Sequence, residues 1–137
     1  MEKQFICPHC KGHLRVRNSI IFRVRNHKKR YGLLLLNPQI GNYDSVRHPD
    51  FEYKEGEALD FYCPMCSHVL STSIDDNLIY VLMKDDQGVE HDIYFSRISG
   101  EHSTFQVTGD KVMAMGEHSG KYTYFSMSDR FTQYLKR

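Results

Sequence analysis

Two cysteine pairs with the spacing Cys-x-x-Cys are the residues of this sequence best suited to chemistry. Cys7 and Cys10 form the first pair and Cys63 and Cys66 the second, with residues 11–62 between them. Two thiolates three positions apart on a tight turn can both reach one ion at metal–sulfur distances of about 2.3 Å, and two such turns complete a tetrahedron. The spacing therefore predicts one metal ion per chain, bound by these four cysteines.

The residues around the two pairs repeat as well. Both segments follow the pattern Phe-x-Cys-Pro-x-Cys-x-x-x-Leu, from Phe5 to Leu14 and from Phe61 to Leu70. The proline fixes φ inside each turn, and we expect the leucine to pack back beneath the metal. The same device thus occurs twice.

This pattern resembles the paired zinc knuckles of the zinc-ribbon and rubredoxin-like families, in which each Cys-Pro-x-Cys turn ends a β-hairpin. The resemblance covers about residues 3–15 and 59–72. It departs from the family pattern directly after the second cysteine of each knuckle, where Lys11 and Ser67 replace the usual glycine. The resemblance implies a structural four-cysteine site.

Four thiolates leave no coordination position for water, which predicts a structural site and not a hydrolytic one. Zinc is the expected metal, and iron is the alternative, because a tetrathiolate accepts both. Since four cysteines suffice, we expect three nearby histidines to lie beside the site or face solvent: His9, His13 and His68.

The first pair also resembles the Cys-Pro-His-Cys active site of DsbA-like thiol oxidants. That chemistry places the first cysteine at a helix N-terminus. Residues 11–17 instead contain a glycine and the alternating pattern of a β-strand, so no helix is expected after the first pair. A second pair also has no use in a single redox centre. A thiol-disulfide oxidoreductase is therefore the minor alternative. No Gly-x-Ser-x-Gly, Walker loop or His-Glu-x-x-His motif occurs, so the sequence predicts a non-enzymatic protein.

Positive charge is concentrated near the start of the chain. Residues 3–43 contain nine Lys or Arg and no Asp or Glu, whereas the chain from Asp44 onward contains nine basic and sixteen acidic residues. Cationic and apolar residues alternate before and after position 19, so each strand would have one apolar and one cationic face. The basic face predicted to grip a nucleic-acid backbone consists of Arg15, Arg17, Arg23, Arg25, Lys28, Lys29 and Arg30.

A three-residue loop at 18–20 is the expected turn of this ribbon. It would place Arg15 opposite Arg23 and Val16 opposite Phe22. Opposed like charges are destabilising, so three alternatives remain open: the register differs, the acidic half covers the face, or an external anion binds it.

Helical periodicity is almost absent, and short runs rich in Val, Ile, Phe and Tyr recur between turn residues. This pattern predicts a mainly β fold with antiparallel sheets. Asp85 and Gly88 bound the clearest hairpin turn, and a short C-terminal helix is expected from Ser128 or Asp129 through Leu135. Strands are expected near 3–7, 13–17, 21–26, 31–36, 51–54, 58–63, 68–72, 77–84, 89–97, 103–108, 110–115 and 121–126.

The chain divides near Ser73. Residues 1–72 form the predicted zinc-knuckle module, with a β insertion at about 13–60, and residues 73–137 an antiparallel β unit, with one core shared between them as an open alternative. The tetrapeptide Gly-Glu-His-Ser occurs at 100–103 and again at 116–119. Two copies are too few for a repeat architecture, so we interpret them as similar turns.

The longest apolar run, Leu33–Leu36, is far shorter than the roughly 20 residues of a membrane helix. The start of the chain has no apolar secretory segment before Cys7, which predicts a cytoplasmic location with reduced thiols. The predicted function is a non-enzymatic zinc-binding module for a macromolecular partner, either nucleic acid or protein. A zinc-stabilised structural or adaptor protein is the alternative, and neither a membrane nor a small-molecule substrate is indicated.

Overall fold

Two antiparallel β-sheets make up the part of the chain that the computed structural model describes, residues 3–109 and 111–119. This confirms the predicted mainly β fold. The predicted strand at 121–126 and the predicted C-terminal helix lie outside the described residues. Within them, no helix is long and apolar enough to cross a membrane. The strands are β1 (Gln4–Ile6), β2 (Arg15–Val16), β3 (Ser19–Arg25), β4 (Tyr31–Leu36), β5 (Ser45–Arg47), β6 (Asp60–Tyr62), β7 (Leu78–Lys84), β8 (Glu90–Ser96), β9 (Thr104–Thr108) and β10 (Lys111–Met115).

The first sheet is built around β3. It has the order β2-β3-β4-β5, and β6 also pairs with β3. The structure differs from the expected strands at three places. Residues 51–54 form no strand, residues 68–72 make only isolated bridges at Val69 and Ser71, and β5 was not predicted. β5 has only three residues, all of them exposed, so it is shorter than the run of about four to eight alternating residues that predicts a half-buried strand.

The second sheet has the order β1-β7-β8-β9-β10. Its first strand comes from the knuckle segment, because Gln4 pairs with Lys84 and Ile6 with Leu82. The predicted β7–β8 hairpin is confirmed. Its turn is held by Asp85, whose Oδ1 accepts the backbone N–H groups of Gln87 and Val89, both at 2.9 Å.

The main hydrophobic core brings side chains of the two sheets together. The ring of Phe22 on β3 lies 5.6 Å from the ring of Phe95 on β8, and Phe61 on β6 lies 5.5 Å from Phe95. The alternating burial along β3 and β7 explains this packing, since every second residue of each strand points inward. A smaller buried cluster lies on the opposite face of the second sheet and contains Leu78, Tyr94, Phe105 and Val107.

The predicted register of the first hairpin is wrong. Arg15 pairs with Ile20 and Val16 with Ser19, so the turn consists of Arg17 and Asn18, one residue shorter than expected. Arg17 has φ 54°, a left-handed conformation that closes this tight turn. As a result Arg15 does not oppose Arg23, and the predicted conflict between like charges does not arise.

Candidate metal centre and basic face

The two knuckles have the same backbone hydrogen bonds, position for position. In the first, the N–H of Cys7 donates to the carbonyl of Gly12 at 3.0 Å and the N–H of Lys11 to the carbonyl of Cys7 at 3.0 Å. In the second, Cys63 donates to His68 and Ser67 to Cys63, again at 3.0 Å. The repeated sequence pattern therefore folds into a repeated local structure, as the sequence predicts.

The four cysteine sulfurs converge on one point. The Sγ atoms of Cys7 and Cys66 are 3.8 Å apart, as are those of Cys10 and Cys63, and all four lie within 4.8 Å of one another. A tetrahedron with metal–sulfur bonds of about 2.3 Å has edges of about 3.8 Å. A disulfide would need about 2.05 Å. The predicted clustering is thus confirmed, and the four cysteines could hold a metal ion in tetrahedral geometry.

Backbone N–H groups point at these sulfurs. Cys7 Sγ accepts from His9 at 3.4 Å and from Cys10 at 3.5 Å, and Cys63 Sγ accepts from Met65 at 3.4 Å. Such donors favour the thiolate form, the form that binds metals. These backbone hydrogen bonds therefore stabilise part of the negative charge of the cysteine thiolates.

Burial acts in the opposite direction on the two inner cysteines. Cys7 and Cys63 are fully buried, and burial raises the pKa of Cys63 to about 12 and also raises the pKa of Cys7. In contrast, the backbone N–H of His68 lowers the pKa of Cys66 to about 6. A bound dication would stabilise every thiolate and offset the cost of burying charge.

The glycine usually found after the second cysteine has a physical reason, and this chain does without it. Lys11 has φ 62° and Ser67 has φ 63°. Both residues therefore adopt the left-handed conformation that costs a non-glycine residue about 1–2 kcal/mol. Both turns have the same backbone hydrogen bonds with Lys11 and Ser67 at this position.

Other residues near the knuckles lie where the sequence placed them. Leu14 and Leu70 are buried, at 1% and 0% exposure, in the same hydrophobic cluster as Cys7 and Cys63, in agreement with packing beneath the four sulfurs. The exposed rings of His9 and His68 stack on each other at 4.6 Å, and His13 Nδ1 lies 3.2 Å from Gln4 Oε1. None of the three histidines belongs to the cluster of sulfurs.

The predicted basic residues divide into two groups, and the first lies on or beside β3. Arg25 donates to Asp60 Oδ2 from Nε at 3.0 Å and from Nη2 at 2.8 Å. Arg23 lies over the ring of Tyr31, with its Cζ 4.1 Å from the ring centroid. Arg15 donates to the carbonyls of Arg17 and Lys3. Asp60, a residue of the acidic half of the chain, thus pairs with one arginine of this group, Arg25.

The second group forms the turn between β3 and β4, which we call the basic tip, residues 26–30. Lys28, Lys29 and Arg30 are exposed. The buried side chain of Asn26 holds the turn from inside, since its Oδ1 accepts the N–H groups of Lys28 at 2.9 Å and Arg30 at 3.1 Å. The tip therefore presents its three cations on a constrained backbone.

Glu57 braces the same turn from the side. Its Oε2 lies 2.8 Å from His27 Nδ1 and accepts the N–H of His27 at 2.9 Å, while its Oε1 accepts the N–H of Lys54 at 3.1 Å. Burial by itself would raise the pKa of Glu57, but these hydrogen bonds outweigh it and lower the pKa to about 2. Sequence reasoning did not identify this contact, since residues 27 and 57 are far apart in the chain.

The two Gly-Glu-His-Ser copies meet in space, which the sequence analysis did not predict. His102 Nδ1 lies 3.2 Å from Glu117 Oε1, and the N–H of His102 donates to His118 Nδ1 at 2.9 Å. The ligand-type atoms of the three residues lie within 4.8 Å of one another. Because hydrogen bonds already account for this proximity, we assign no metal to them. Gly116 permits the contact, since a Cβ there would lie 2.2 Å from the carbonyl oxygen of His102.

A second histidine cluster lies at the end of the second sheet. His91 Nε2 lies 2.8 Å from Asp85 Oδ2, and His91 Nδ1 contacts the Thr108 hydroxyl. Asp92, its neighbour in sequence, bonds to Tyr80 instead. Because Asp85 also holds the β7–β8 turn, the arrangement is accounted for as a structural one.

A cavity of about 330 Å³ opens between the two sheets beside residues 37–43. Phe22, Phe61 and Phe95 lie in its apolar wall, and the stacked rings of Tyr43 and His102 lie at its polar side. None of the four cysteines or the seven predicted basic residues lines it. It is therefore separate from both predicted sites.

The knuckle geometry and the basic tip are thus the features from which a function can be argued. The chain matches no protein-family model, no curated protein and no solved structure at a significant level.

Proposed function

We propose that this chain is a non-enzymatic zinc module in which a structural four-cysteine site ties two knuckles together and a basic face on the first sheet binds nucleic acid. The observation that carries the first half is the pair of 3.8 Å sulfur separations, the edge length of a tetrathiolate tetrahedron. Zinc is the proposed ion and iron the alternative, since both fit this geometry.

A closed tetrathiolate supports a structural role over a catalytic one. All four sulfurs take part in the cluster, so a bound ion leaves no open position for substrate or water. The first knuckle continues into a hairpin that returns to Phe5 through the N–H of Leu14. Residues 8–10 form a turn and not the start of a helix, whereas redox chemistry of the Cys-Pro-His-Cys type places its first cysteine at a helix N-terminus. We expect background activity only in an insulin-reduction assay.

The nucleic-acid half of the proposal is supported by the charge of the first sheet. The basic tip exposes Lys28, Lys29 and Arg30, and no ion pair engages these three side chains within the described residues. Cations on a hydrogen-bonded turn suit phosphate oxygens, which supply most of the affinity in nucleic-acid binding.

The metal assignment is tested by the metal content of purified variants. Wild-type protein should contain one zinc per chain, and Cys63→Ser should lose both the zinc and thermal stability. Met65→Ala is the matched control, because Met65 lies in the same knuckle, is 54% exposed and contacts Cys63 Sγ through its backbone N–H, which the substitution keeps. A Cys63→Ser variant that stays fully metallated and melts like wild type would contradict the assignment.

The nucleic-acid assignment is tested by titration at two salt concentrations. Affinity should fall with salt at a slope of about −0.9 per duplex phosphate neutralised, or about −0.7 for a single strand. Replacing both Lys28 and Arg30 with Ala should flatten that slope, and Lys84→Ala on the second sheet should not change it. Absence of binding by the wild type at low salt would remove nucleic acid from the proposal.

A protein-binding adaptor is the second candidate, and one observation favours it. Leu33 and Val46 are 50% and 65% exposed on the outer side of the first sheet. Exposed apolar side chains grouped on one face are typical of protein interfaces. Self-association detected by sedimentation, abolished by Val46→Asp, would favour this candidate.

A further inference from the structure

The outer face of the first sheet carries an ordered set of rings and guanidinium groups. The strand register places Arg23 between Tyr62 on β6 and Leu33 on β4, and Arg25 between Asp60 and Tyr31. Successive residues of a strand point to opposite faces. Since Phe22 and Val24 are buried, the arginines and their cross-strand partners lie on the face away from the core.

The rings of this face are close together and accessible. Tyr31 is 49% exposed, and its ring centroid lies 5.9 Å from that of Tyr62. The guanidinium of Arg23 covers the Tyr31 ring at 4.1 Å, and that of Arg25 lies 5.8 Å from the Tyr62 ring. Tyrosine rings and guanidinium planes together form a π surface on which a flat base can stack.

Charge distinguishes the two arginines of this surface. Arg25 is paired with Asp60 at 2.8 Å, a carboxylate that also pairs with Arg97 at 3.1 Å, so the guanidinium of Arg25 is held in place as part of this surface. No ion-pair partner of Arg23 lies within the described part of the chain. Arg23 therefore adds a positive charge beside the exposed ring of Tyr31.

The basic tip runs directly into this surface, because Arg30 precedes Tyr31 in the chain. Hydrogen bonds of the Asn26 side chain hold the backbone of the tip. Its Nδ2 donates to the carbonyl of Glu52 at 2.9 Å, and its Oδ1 accepts from the N–H groups of Lys28 and Arg30. Phosphate-binding cations and a stacking surface are thus continuous on one strand pair.

We propose that the ligand of this face is single-stranded nucleic acid, with a base stacked on the surface formed by the Tyr31 ring and the Arg23 guanidinium that lies over it, and with phosphates held by the basic tip. The inference rests on the proposed nucleic-acid function and narrows it. In a duplex the faces of the bases are covered by their stacked neighbours, so they are not available to the Tyr31 ring. Unpaired bases can leave the stack and lie on aromatic side chains.

The test compares a fluorescein-labelled 12-nucleotide pyrimidine strand with the duplex that it forms with its complement, both by anisotropy at low salt. Wild type should bind the single strand more tightly than the duplex. Tyr31→Leu should weaken binding of the single strand by about 5- to 150-fold, the range for loss of one stacked base, and leave the salt slope unchanged. Tyr31→Phe keeps the ring and should bind like wild type.

Lys28→Ala is the complementary variant. It should weaken both ligands by a similar factor and reduce the single-strand salt slope by about 0.7, with Lys84→Ala as its control. Equal or tighter binding of the duplex, or a Tyr31→Leu variant with wild-type affinity, would overturn the single-strand inference while nucleic-acid binding stands. If neither ligand binds, the proposed function itself fails. If, in addition, Val46→Asp abolishes self-association, the face belongs to a protein contact.

Discussion

The two knuckles and the basic tip are both tight turns, yet different forces hold them. In the knuckles four sulfur atoms converge at 3.8 Å edges, and burial raises the pKa of Cys7 and Cys63, so the arrangement calls for a cation. In the tip the neutral amide of Asn26 and the carboxylate of Glu57 accept backbone N–H groups, and no metal ion is needed. We therefore expect metal to control the stability of the knuckles and pH to control the stability of the basic tip.

Removal of metal should have the largest effect. Structural zinc contributes about 10–16 kcal/mol of apparent free energy in small modules, compared with a net stability of about 5–15 kcal/mol for a typical domain. We expect a chelator with access to the site to abolish cooperative melting in circular dichroism, and added zinc to restore it. Added magnesium is the control, because thiolates do not select it. Unchanged melting after verified metal loss would show that the knuckles, like the basic tip, do not depend on metal.

Asn26→Ala should have the next largest effect. The change removes the acceptor for two backbone N–H groups and the donor to Glu52, and a buried unsatisfied group costs about 1–3 kcal/mol. Urea unfolding of the metal-loaded protein measures this loss. Gln87→Ala, an amide truncation at an exposed turn, should stay within about 0.5 kcal/mol of wild type. A loss no larger than that of Gln87→Ala would show that the tip does not depend on Asn26.

Glu57→Gln should show the pH dependence of the tip. Folding lowers the pKa of Glu57 from its usual 4.5 to about 2, so the carboxylate stabilises the protein above pH 4.5 and this contribution is lost as pH falls toward 2. At pH 7 the variant should lose about 0.5–1 kcal/mol, in the range for a partly exposed pair. The difference from wild type should shrink as the pH falls from 4.5 toward 2.

Denaturant melts at several pH values, with metal content verified at each, measure this difference. Glu55→Gln is the matched control, since Glu55 is exposed two positions away. A pH-independent difference between Glu57→Gln and wild type would contradict an electrostatic role for Glu57.

Lys11→Gly should give the smallest effect, and a stabilising one. Glycine adopts the φ of 62° found at this position without the steric cost of about 1–2 kcal/mol, but it adds about 0.5–1 kcal/mol of unfolded-state entropy. The expected gain in thermal unfolding is below about 1 kcal/mol. Lys11→Ala separates loss of the side chain from relief of strain and should bring no gain.

The sequence predicted the knuckles better than the basic face. The residues of each knuckle are close together in the chain, whereas the contacts of the basic face join distant residues. Cys7 and Cys10 with their flanking residues form a local motif, and its second copy revealed the partner 53 or more positions away. The β2–β3 register was wrong because a three-residue loop was expected at 18–20, whereas the chain turns within two residues, with Arg17 at φ 54°. Leu14 takes part in both neighbouring pairings, since its N–H donates to Phe5 and its carbonyl accepts from Ile21.

Contacts between distant residues without a motif could not be predicted. Asp60 joins Arg25 and Arg97, at 2.8 and 3.1 Å, and no spacing in the chain marks that pairing. The contact between the Gly-Glu-His-Ser copies had a signal, the repetition itself, but repetition alone does not show that two turns touch. Only the strand pairing of β9 with β10 brings them together.

The separation of the two knuckles by residues 11–62 has a consequence for the timing of synthesis. A ribosome adds about 5–20 residues per second, so the second knuckle is made roughly 3–10 s after the first. During that interval the growing chain offers only Cys7 and Cys10, half of a tetrahedron. Any ion held by the first pair is then incompletely coordinated and its thiols remain open to oxidation. The four-cysteine site can therefore be completed only after Cys66, the last of its four cysteines, has been synthesised.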